Sequence, residues 1–251
     1  MSTKKLLITG MSGLIGSAVR RKLEGKFELS ALNRRDIPDI PCHRANVSDL
    51  DAILPAFEDI DTVVHLAASI KGDWDEILQN NVVGTYNVFE AARRSGVKRI
   101  VYASSGSVIA GWEREHPYRA ISRGEFDSVE DDFPKLTHET PLRPVQLYGC
   151  SKVWGEALAR HFTDTTDLSV LCLRIGAVLE ADRPSQSRHA PIWCSQRDIA
   201  GLVEACVNAP TDLKFDIFYA VSNNKWNYRD MSHSKDVLGF EPRDSVEDIT
   251  A

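Results

Sequence analysis

Short apolar runs alternate along the chain with segments whose apolar residues recur at helical spacing. The run 6–9 leads through a glycine-rich turn into a helical pattern over 14–23, and 27–32 alternates as a strand does. Further strands are predicted at 62–66, 99–103, 168–175 and 215–221, and further helices at 49–57, 75–94, 146–162 and 198–207. Strands that alternate with helices of these lengths predict βαβ units and a parallel sheet. Continuous apolar runs are typical of a sheet that is covered on both faces.

Polar residues mark the ends of two of these helices. Ser48 stands immediately before the pattern 49–57, where a hydroxyl can cap the first free N–H groups of a helix. Ser95-Gly96 follows 75–94, and glycine is common just beyond a last helical turn.

One long segment, 111–139, breaks this rhythm because it is charged and rich in Pro, His and Arg. Such a segment is either a functional lid or a solvated excursion. The sequence pattern leaves both interpretations open.

Composition narrows the class of protein. The chain has 251 residues, of which 43% are hydrophobic and 26% charged, as in ordinary globular domains. Its 30 basic and 36 acidic residues give a net charge of −6, which argues against a nucleic-acid or membrane partner and favours a small molecule. No apolar run reaches the roughly 18 residues that span a bilayer. The five cysteines are odd in number and lack C-x-x-C spacing, so we expect no metal site and a cytoplasmic location.

A glycine-rich turn follows the first predicted strand and opens the first helix. Glycines in a G-x-x-G-x-x-G spacing permit a tight turn and a close approach of backbone to a pyrophosphate. The free N–H groups of the following helix favour the same anion. The turn therefore predicts a dinucleotide site, with cofactor-binding residues Gly10, Ser12, Gly13, Leu14, Ile15 and Gly16.

The end of the second strand predicts which nicotinamide cofactor is bound. An acidic residue there binds the ribose 2′-hydroxyl of NAD, whereas arginine accommodates the 2′-phosphate of NADP. This chain has Asn33 followed by Arg34 and Arg35, which favours NADP. The alternative is that both arginines are ordinary solvated residues and that Asn33 binds the ribose of NAD. Asn46 and Val47, after the third strand, are expected to flank the adenine.

Three residues suggest proton-transfer chemistry. Tyr148 and Lys152 are four positions apart, so on a helix they share one face. We expect the nearby ammonium to lower the pKa of the tyrosine and so make it usable near neutral pH. Ser105 follows the strand 99–103, at the strand end where open α/β sheets bind ligands. Its hydroxyl could therefore bond the reacting oxygen.

These motifs together resemble the extended short-chain dehydrogenase/reductase superfamily, the NAD-dependent epimerase/dehydratase family, over nearly the whole chain. The matching stretches are 9–16, 65–68, 81–85, 103–105, 148–152 and 174–175. The resemblance implies that Ser105, Tyr148 and Lys152 are catalytic, and that Tyr148 and Lys152 also contact the cofactor. It further implies a structural asparagine at Asn81 and a structural rather than acid–base histidine at His65. The remaining cofactor-binding positions that it implies are Leu66, Ala67, Ala68 and Ile175.

Within that superfamily the chain resembles uronate dehydrogenases and archaeal-type sugar-phosphate dehydrogenases. The resemblance implies that Arg188 binds a carboxylate or phosphate of the substrate, which suits a guanidinium fork. The other substrate-binding positions that it implies are Ser69, Ser105, Gly106, Tyr148 and Ala177. The chain departs from those enzymes at Gly106, where they have Asn, at Ala177, where they have a polar residue, and at Arg34, where they have an acid.

The expected fold is a doubly wound, Rossmann-type α/β fold, whose mainly parallel sheet carries helices on both faces. Residues 1–175, with the insert 111–139, should bind NAD(P), and residues 176–251 should form a small, interleaved region that covers the substrate. We expect an NAD(P)-dependent dehydrogenase of a small sugar, sugar acid or sugar phosphate that oxidises C1 to a lactone. The alternatives are a nucleotide-sugar epimerase or reductase and a non-catalytic NAD(P) sensor. The superfamily further implies a homodimer or a higher homo-oligomer.

Overall fold

The computed structural model describes residues 3–250 and contains one seven-stranded sheet. Its order is β3-β2-β1-β4-β5-β6-β7, and every neighbouring pair is parallel. The strands are β1 (Lys5–Thr9), β2 (Glu28–Asn33), β3 (Cys42–Arg44), β4 (Thr62–His65), β5 (Arg99–Ser105), β6 (Ser169–Ile175) and β7 (Phe215–Ala220). The predicted parallel sheet is confirmed.

Helices connect these strands and pack on both faces of the sheet. The α-helices are α1 (Leu14–Leu23), α2 (Leu50–Ile53), α3 (Trp74–Ile77), α4 (Gly84–Arg94), α5 (Tyr118–Arg123), α6 (Leu147–Thr165), α7 (Gln196–Asn208), α8 (Ser232–Leu238) and α9 (Val246–Thr250). Short 3-10 helices span Leu54–Phe57, Gly106–Arg114, Phe126–Ser128 and Ser187–Ile192, and a π-helical segment spans Leu78–Val83.

Successive side chains of a strand point to opposite faces, which divides the core into two layers. On one face, Leu6 of β1 belongs to a buried cluster with Val19 of α1 and Leu202 of α7. On the other face, Leu7 of the same strand belongs to a cluster with Phe89 of α4. The expected doubly wound Rossmann-type fold is therefore confirmed.

Two helix predictions need correction. The N-cap of α2 is Asp49, whose carboxylate accepts a 3.1 Å hydrogen bond from the backbone N–H of Ala52, and not Ser48. The segment 49–57 is a short α-helix followed by a 3-10 turn, and Pro55 at the start of that turn has no N–H to continue the α-helical pattern.

The predicted helix 75–94 contains an irregularity. α3 and α4 are joined through the π-helical segment Leu78–Val83, which widens the helix by an extra residue in the turn. The predicted end is confirmed, because Ser95 caps α4 and Gly96 adopts a φ of +72°.

The segment 111–139 is not a solvated excursion. It contributes the buried side chains of Tyr118, Ile121, Phe133 and Leu136 to a third apolar cluster. That cluster also contains Tyr219 of β7 and other residues from the C-terminal part of the chain. The insert and the C-terminal residues thus pack together beside the carboxyl ends of β5, β6 and β7.

None of the helices between residues 3 and 250 combines the length and apolar character that a membrane-crossing helix requires. The five cysteines are free, and Cys172, Cys194 and Cys206 are buried among apolar side chains.

Candidate active site

The turn between β1 and α1, and the first turn of α1 itself, each have one position with room only for glycine. Gly10 has a φ of +69°, and a Cβ there would lie 2.9 Å from the backbone nitrogen of Ala67. A Cβ on Gly16 would lie 2.5 Å from the carbonyl oxygen of Gly10. Gly13 is the N-cap of α1 and provides no capping side chain, so the helix N-terminus is left open to an anion. The turn fits the pyrophosphate of a dinucleotide.

A cavity of about 880 Å³ runs from this turn across the carboxyl ends of the central strands. It brings together most of the predicted site residues, namely Gly10, Ser12, Gly13, Leu14, Ile15, Gly16, Asn33, Arg34, Arg35, Asn46, Val47, Leu66, Ala67, Ala68, Ser69, Ser105, Tyr148, Lys152 and Ile175. Sequence reasoning missed further lining residues, namely Leu32, Ala45, Ile70, Asn80, Ala103, Ser104, Ser107, Gly176 and Val178. Most of these residues are next in sequence to a predicted site residue, and that position is the signal from which they could have been identified.

At one end of the cavity lies Asn33, the last residue of β2, whose side chain is hydrogen-bonded within the protein. The Ser12 hydroxyl lies 3.2 Å from Asn33 Oδ1, and Asn33 Nδ2 donates to the carbonyl oxygen of Arg35 at 2.8 Å. Arg34 and Arg35 are exposed, and within residues 3–250 neither forms an ion pair. This end of the cavity is therefore cationic.

At the other end, Lys152 is buried below Tyr148. Its ammonium Nζ donates a 2.7 Å hydrogen bond to the carbonyl oxygen of Ala103 and lies 5.7 Å from the centre of the Tyr148 ring. Burial lowers the pKa of Lys152 to about 8, because the low-dielectric surroundings disfavour its charge. The predicted sharing of one helix face by these two residues is confirmed.

The expected lowering of the Tyr148 pKa is wrong for this structure. Burial raises that pKa, and a hydrogen bond with Ser105 lowers it by a smaller amount. The physical reason is that desolvation opposes the phenolate, while the Lys152 ammonium is bonded to Ala103 instead. The Ser105 hydroxyl is also held by Ser107, whose backbone N–H donates to it at 3.1 Å.

Asn81 shapes the cavity wall without lining it. Its Oδ1 accepts from the backbone N–H of Ser69 at 2.8 Å, and its Nδ2 donates to the Ser69 carbonyl at 2.9 Å. Nδ2 also lies 3.0 Å from the hydroxyl of Ser151 on α6. The π-helical segment Leu78–Val83 carries Asn81, and such turns are frequent at functional sites. Asn81 therefore ties the loop after β4 to α6.

His65 is a neutral, structural side chain. The Thr9 hydroxyl accepts hydrogen bonds from the backbone N–H groups of Leu66 and Ala67, both at 3.1 Å. With both lone pairs used, that hydroxyl donates its proton to His65 Nδ1 at 2.7 Å. Complete burial lowers the pKa of His65 to about 3. The histidine therefore orients the loop beside the glycine turn.

Three predicted substrate residues lie outside the lining of the cavity. Ala177 bonds through its backbone to Ile192 at 2.8 Å. Arg188 forms two hydrogen bonds to the Glu113 carboxylate, at 2.6 and 3.0 Å, so its charge is already neutralised. Gly106 faces the guanidinium of Arg229, a residue that the sequence did not indicate.

A buried ion pair fixes the helix that carries Tyr148. Glu156 accepts from Arg174 at 2.9 Å through each of its oxygens, and from the Ser104 hydroxyl at 2.6 Å. Both partners are almost completely buried. The pair joins α6 to β5 and β6 directly behind the Ser105 end of the cavity.

One group of possible metal ligands lies away from the cavity. His138, Asp216 and His233 place three donor atoms within 4.8 Å of one another. The two imidazoles are stacked with centroids 3.9 Å apart and planes inclined by 16°. The lone pairs of an imidazole lie in the plane of its ring. Those of two stacked rings therefore point side by side and do not converge on one metal ion.

Residues 6–196 match the NAD dependent epimerase/dehydratase family. The chain belongs to this family. Proteins similar to this chain include the NAD-dependent glucose-6-phosphate dehydrogenase of Haloferax volcanii, 31% identical over 98% of this chain and 95% of the relative. The uronate dehydrogenase of Agrobacterium fabrum is 33% identical over 97% of this chain and 86% of its own length.

A solved structure of a uronate dehydrogenase is also similar to this chain. A mutant uronate dehydrogenase from Agrobacterium tumefaciens, complexed with NAD, matches with a TM-score of 0.84 and 30% identity. The match covers 99% of this chain and 88% of that chain.

Proposed function

We propose that this protein is an NAD(P)-dependent dehydrogenase that oxidises a CH–OH group of a small sugar, sugar acid or sugar phosphate. The observation that carries the proposal is the continuity of the cavity from the glycine turn at Gly10 to Ser105, Tyr148 and Lys152. The names of the relatives support the substrate class, since they oxidise a sugar phosphate or a uronate. By analogy, the expected reaction is oxidation at C1 to a lactone.

Each of the three polar side chains has a role in this proposal. Tyr148 takes the proton of the substrate hydroxyl, and Ser105 donates a hydrogen bond to the same oxygen. Lys152 favours the phenolate electrostatically and is itself oriented by the Ala103 carbonyl. When bound, the nicotinamide supplies the chemistry of hydride acceptance. Because the Tyr148 pKa is raised before ligands bind, we infer that the charge of Lys152 and the substrate's own hydrogen bonds assist deprotonation.

For the cofactor, we propose that the chain accepts NADP as well as NAD. Arg34 and Arg35 line the cavity at the end of β2, and Asp36, the nearest acid in sequence, forms a 3.3 Å ion pair with Arg44. Both arginines are thus available to a 2′-phosphate. The ratio of kcat/KM with NADP to that with NAD tests this proposal. Replacing both arginines by Met should lower the ratio, with Arg44→Met as the matched control.

We further propose a homodimer formed through α3, α4 and α6. Trp74, Tyr86, Leu147 and Trp154 on these helices are large side chains that are 42 to 53% exposed. A second copy of the chain would cover this apolar face. Light scattering during size-exclusion chromatography tests the proposal, because Trp154→Glu should shift the species towards the monomer. The cytoplasmic location stays a prediction from the sequence.

The deciding experiment is a substrate panel followed at the absorbance of the reduced nicotinamide. Free aldoses, uronates and sugar phosphates are each offered with NAD and with NADP, and UDP-glucose is included. Turnover of a free sugar, uronate or sugar phosphate supports the proposal. Turnover of UDP-glucose alone would replace it with a nucleotide-sugar activity. Cofactor binding with no turnover of any compound would favour a sensor.

A further inference from the structure

The side chain of Arg229 occupies the space that a side chain at position 106 would need. A Cβ built on Gly106 lies 2.4 Å from Arg229 Nη2 and 2.9 Å from its Cζ. The same Cβ lies 3.4 Å from the carbonyl oxygen of Ile175, the last residue of β6. The guanidinium therefore lies at the carboxyl ends of β5 and β6, the edge at which open α/β sheets bind their ligands.

Gly106 is flanked in sequence by residues at the reacting end of the cavity, while Arg229 itself lines a second cavity of about 450 Å³ with Lys135 and Asn227. Gly106 stands between Ser105 and Ser107, and both serines line the larger cavity together with Gly176. Since glycine has no side chain, the guanidinium packs against residue 106 itself, which is next to Ser105 in the chain. A substrate whose hydroxyl is bonded by Ser105 would thus bring its neighbouring substituents close to Arg229.

The guanidinium of Arg229 is buried. The residue is 3% exposed, and among residues 3–250 neither its Nε nor its Nη1 finds a hydrogen-bond partner. The rings of Tyr228 and Tyr219 lie 5.3 and 6.0 Å from its Cζ. Within residues 3–250, no carboxylate forms an ion pair with it. A buried guanidinium without a carboxylate partner is costly, and an anion that approached from the Gly106 side would meet Nη2, the nitrogen nearest to that glycine.

A comparison of Arg229 with Arg188 indicates which of the two arginines is available to bind an anion of the substrate. Arg188 is a half-exposed side chain that already holds Glu113 through two hydrogen bonds. Glu113 also accepts from the Tyr228 hydroxyl at 2.8 Å, so that carboxylate is occupied on both sides. Arg188 therefore offers little free charge, whereas Arg229 has no carboxylate partner among residues 3–250 and turns its Nη2 towards Gly106.

We propose that Arg229 binds the anionic substituent of the substrate, a carboxylate or phosphate carried by the sugar, and that Gly106 makes room for it. A guanidinium fork matches the oxygens of both groups. This inference rests on the proposed sugar dehydrogenase function and narrows it to anionic sugars.

Calorimetric binding tests the proposal independently of turnover. The protein is loaded with the reduced cofactor, so that no oxidation takes place, and titrated with glucuronate, glucose 6-phosphate and glucose. The variants are Arg229→Met, Arg229→Lys and, as a matched control, Arg188→Met. Glucuronate and glucose 6-phosphate distinguish the carboxylate from the phosphate, and glucose measures contacts that do not depend on charge.

We expect the wild type to bind at least one anionic sugar more tightly than glucose. Arg229→Met should weaken that binding about 10- to 150-fold, as loss of hydrogen bonds to a charged group does. The affinity for glucose should stay within about threefold, Arg229→Lys should restore part of the loss, and Arg188→Met should have little effect. Unchanged binding of the reduced cofactor shows that each variant is folded.

Three results would overturn the assignment: no preference of the wild type for an anionic sugar, an equal loss for glucose, or a loss caused by Arg188→Met instead. Absence of turnover in the substrate panel, combined with the expected binding, would reject the dehydrogenase function but leave the anion site standing. Turnover without a preference for anionic sugars that depends on Arg229 would support the dehydrogenase function but reject the anion site.

Discussion

Lys152 donates its ammonium hydrogen bond to the carbonyl oxygen of Ala103 at 2.7 Å, and not to the hydroxyl of Tyr148. The lysine is thereby fixed to the end of β5, while the tyrosine stays free to bond Ser105 and a substrate. The influence of Lys152 on Tyr148 is consequently electrostatic. It depends on protonation of the lysine, which burial opposes.

The first prediction concerns the proton-transfer role of Tyr148. We expect Tyr148→Phe to lower kcat by roughly 10²- to 10⁴-fold, the usual contribution of a positioned acid–base group. The affinity of the variant for the cofactor, measured by titration, should stay within about threefold of the wild-type value, because the glycine turn and β2 are unchanged. The matched control is Tyr86→Phe on α4, which lies outside the cavity lining and keeps the ring of the proposed dimer contact, and it should keep full turnover. Wild-type turnover in Tyr148→Phe would show that another group moves the proton.

A second prediction follows from the protonation of Lys152. Its folded pKa of about 8 lies below the usual 10.5, so between these values the unfolded chain binds more protons than the folded one. Lys152 therefore lowers the free energy of unfolding below pH 8, and the penalty fades as the pH rises to 10.5. We expect Lys152→Met to be more stable than the wild type by up to about 3 kcal/mol at pH 7, less the lost hydrogen bond. Urea unfolding at pH 7, 8.5 and 10 measures the difference in free energy of unfolding between the two proteins. This difference should narrow as the pH rises, and a constant difference would contradict the prediction.

A third prediction concerns His65 at acid pH. Its folded pKa of about 3 lies below the usual 6.5, so the unfolded state takes up a proton first as the pH falls. The wild type should lose stability between pH 6.5 and 3, by up to about 5 kcal/mol from this group alone. His65→Asn keeps an acceptor for Thr9 but does not titrate, so its free energy of unfolding should fall less over the same range. Parallel curves for the two proteins would show that another group dominates the acid transition.

The sequence was sufficient to locate the parts of the site whose residues are close together in the chain. The glycine turn follows from its spacing after a strand, and Tyr148 and Lys152 follow from helix periodicity. Ser105 follows from its place at a strand end. The structure brings all of these into one cavity because parallel strands end at one edge of the sheet.

Other properties could not be predicted because they depend on contacts between distant segments. Arg229 meets Gly106 only when the C-terminal segment packs over the strand ends, and no local pattern marks that contact. The raised pKa of Tyr148 results from burial, which spacing alone does not specify. The capping of α2 by Asp49 instead of Ser48 reflects a choice between two adjacent good caps.

The last prediction separates steric exclusion from backbone strain at the glycine turn. Gly10 and Gly96 have nearly the same positive φ, +69° and +72°, but a Cβ on Gly96 would meet nothing within 4 Å. Gly96→Ala should therefore cost only the left-handed penalty of about 1 to 2 kcal/mol in the free energy of unfolding. Gly10→Ala should cost more, because its Cβ would also press on the backbone of Ala67.

The two variants should differ further in cofactor binding, which fluorescence of the reduced nicotinamide measures. Gly10→Ala moves the turn or the loop after β4 that together line the cavity, so we expect its affinity to fall at least tenfold. Gly96→Ala lies at the opposite end of α4 from that loop and should bind as the wild type does. Equal affinities in the two variants would mean that the turn does not hold the dinucleotide, and would remove the main support for an NAD(P) site.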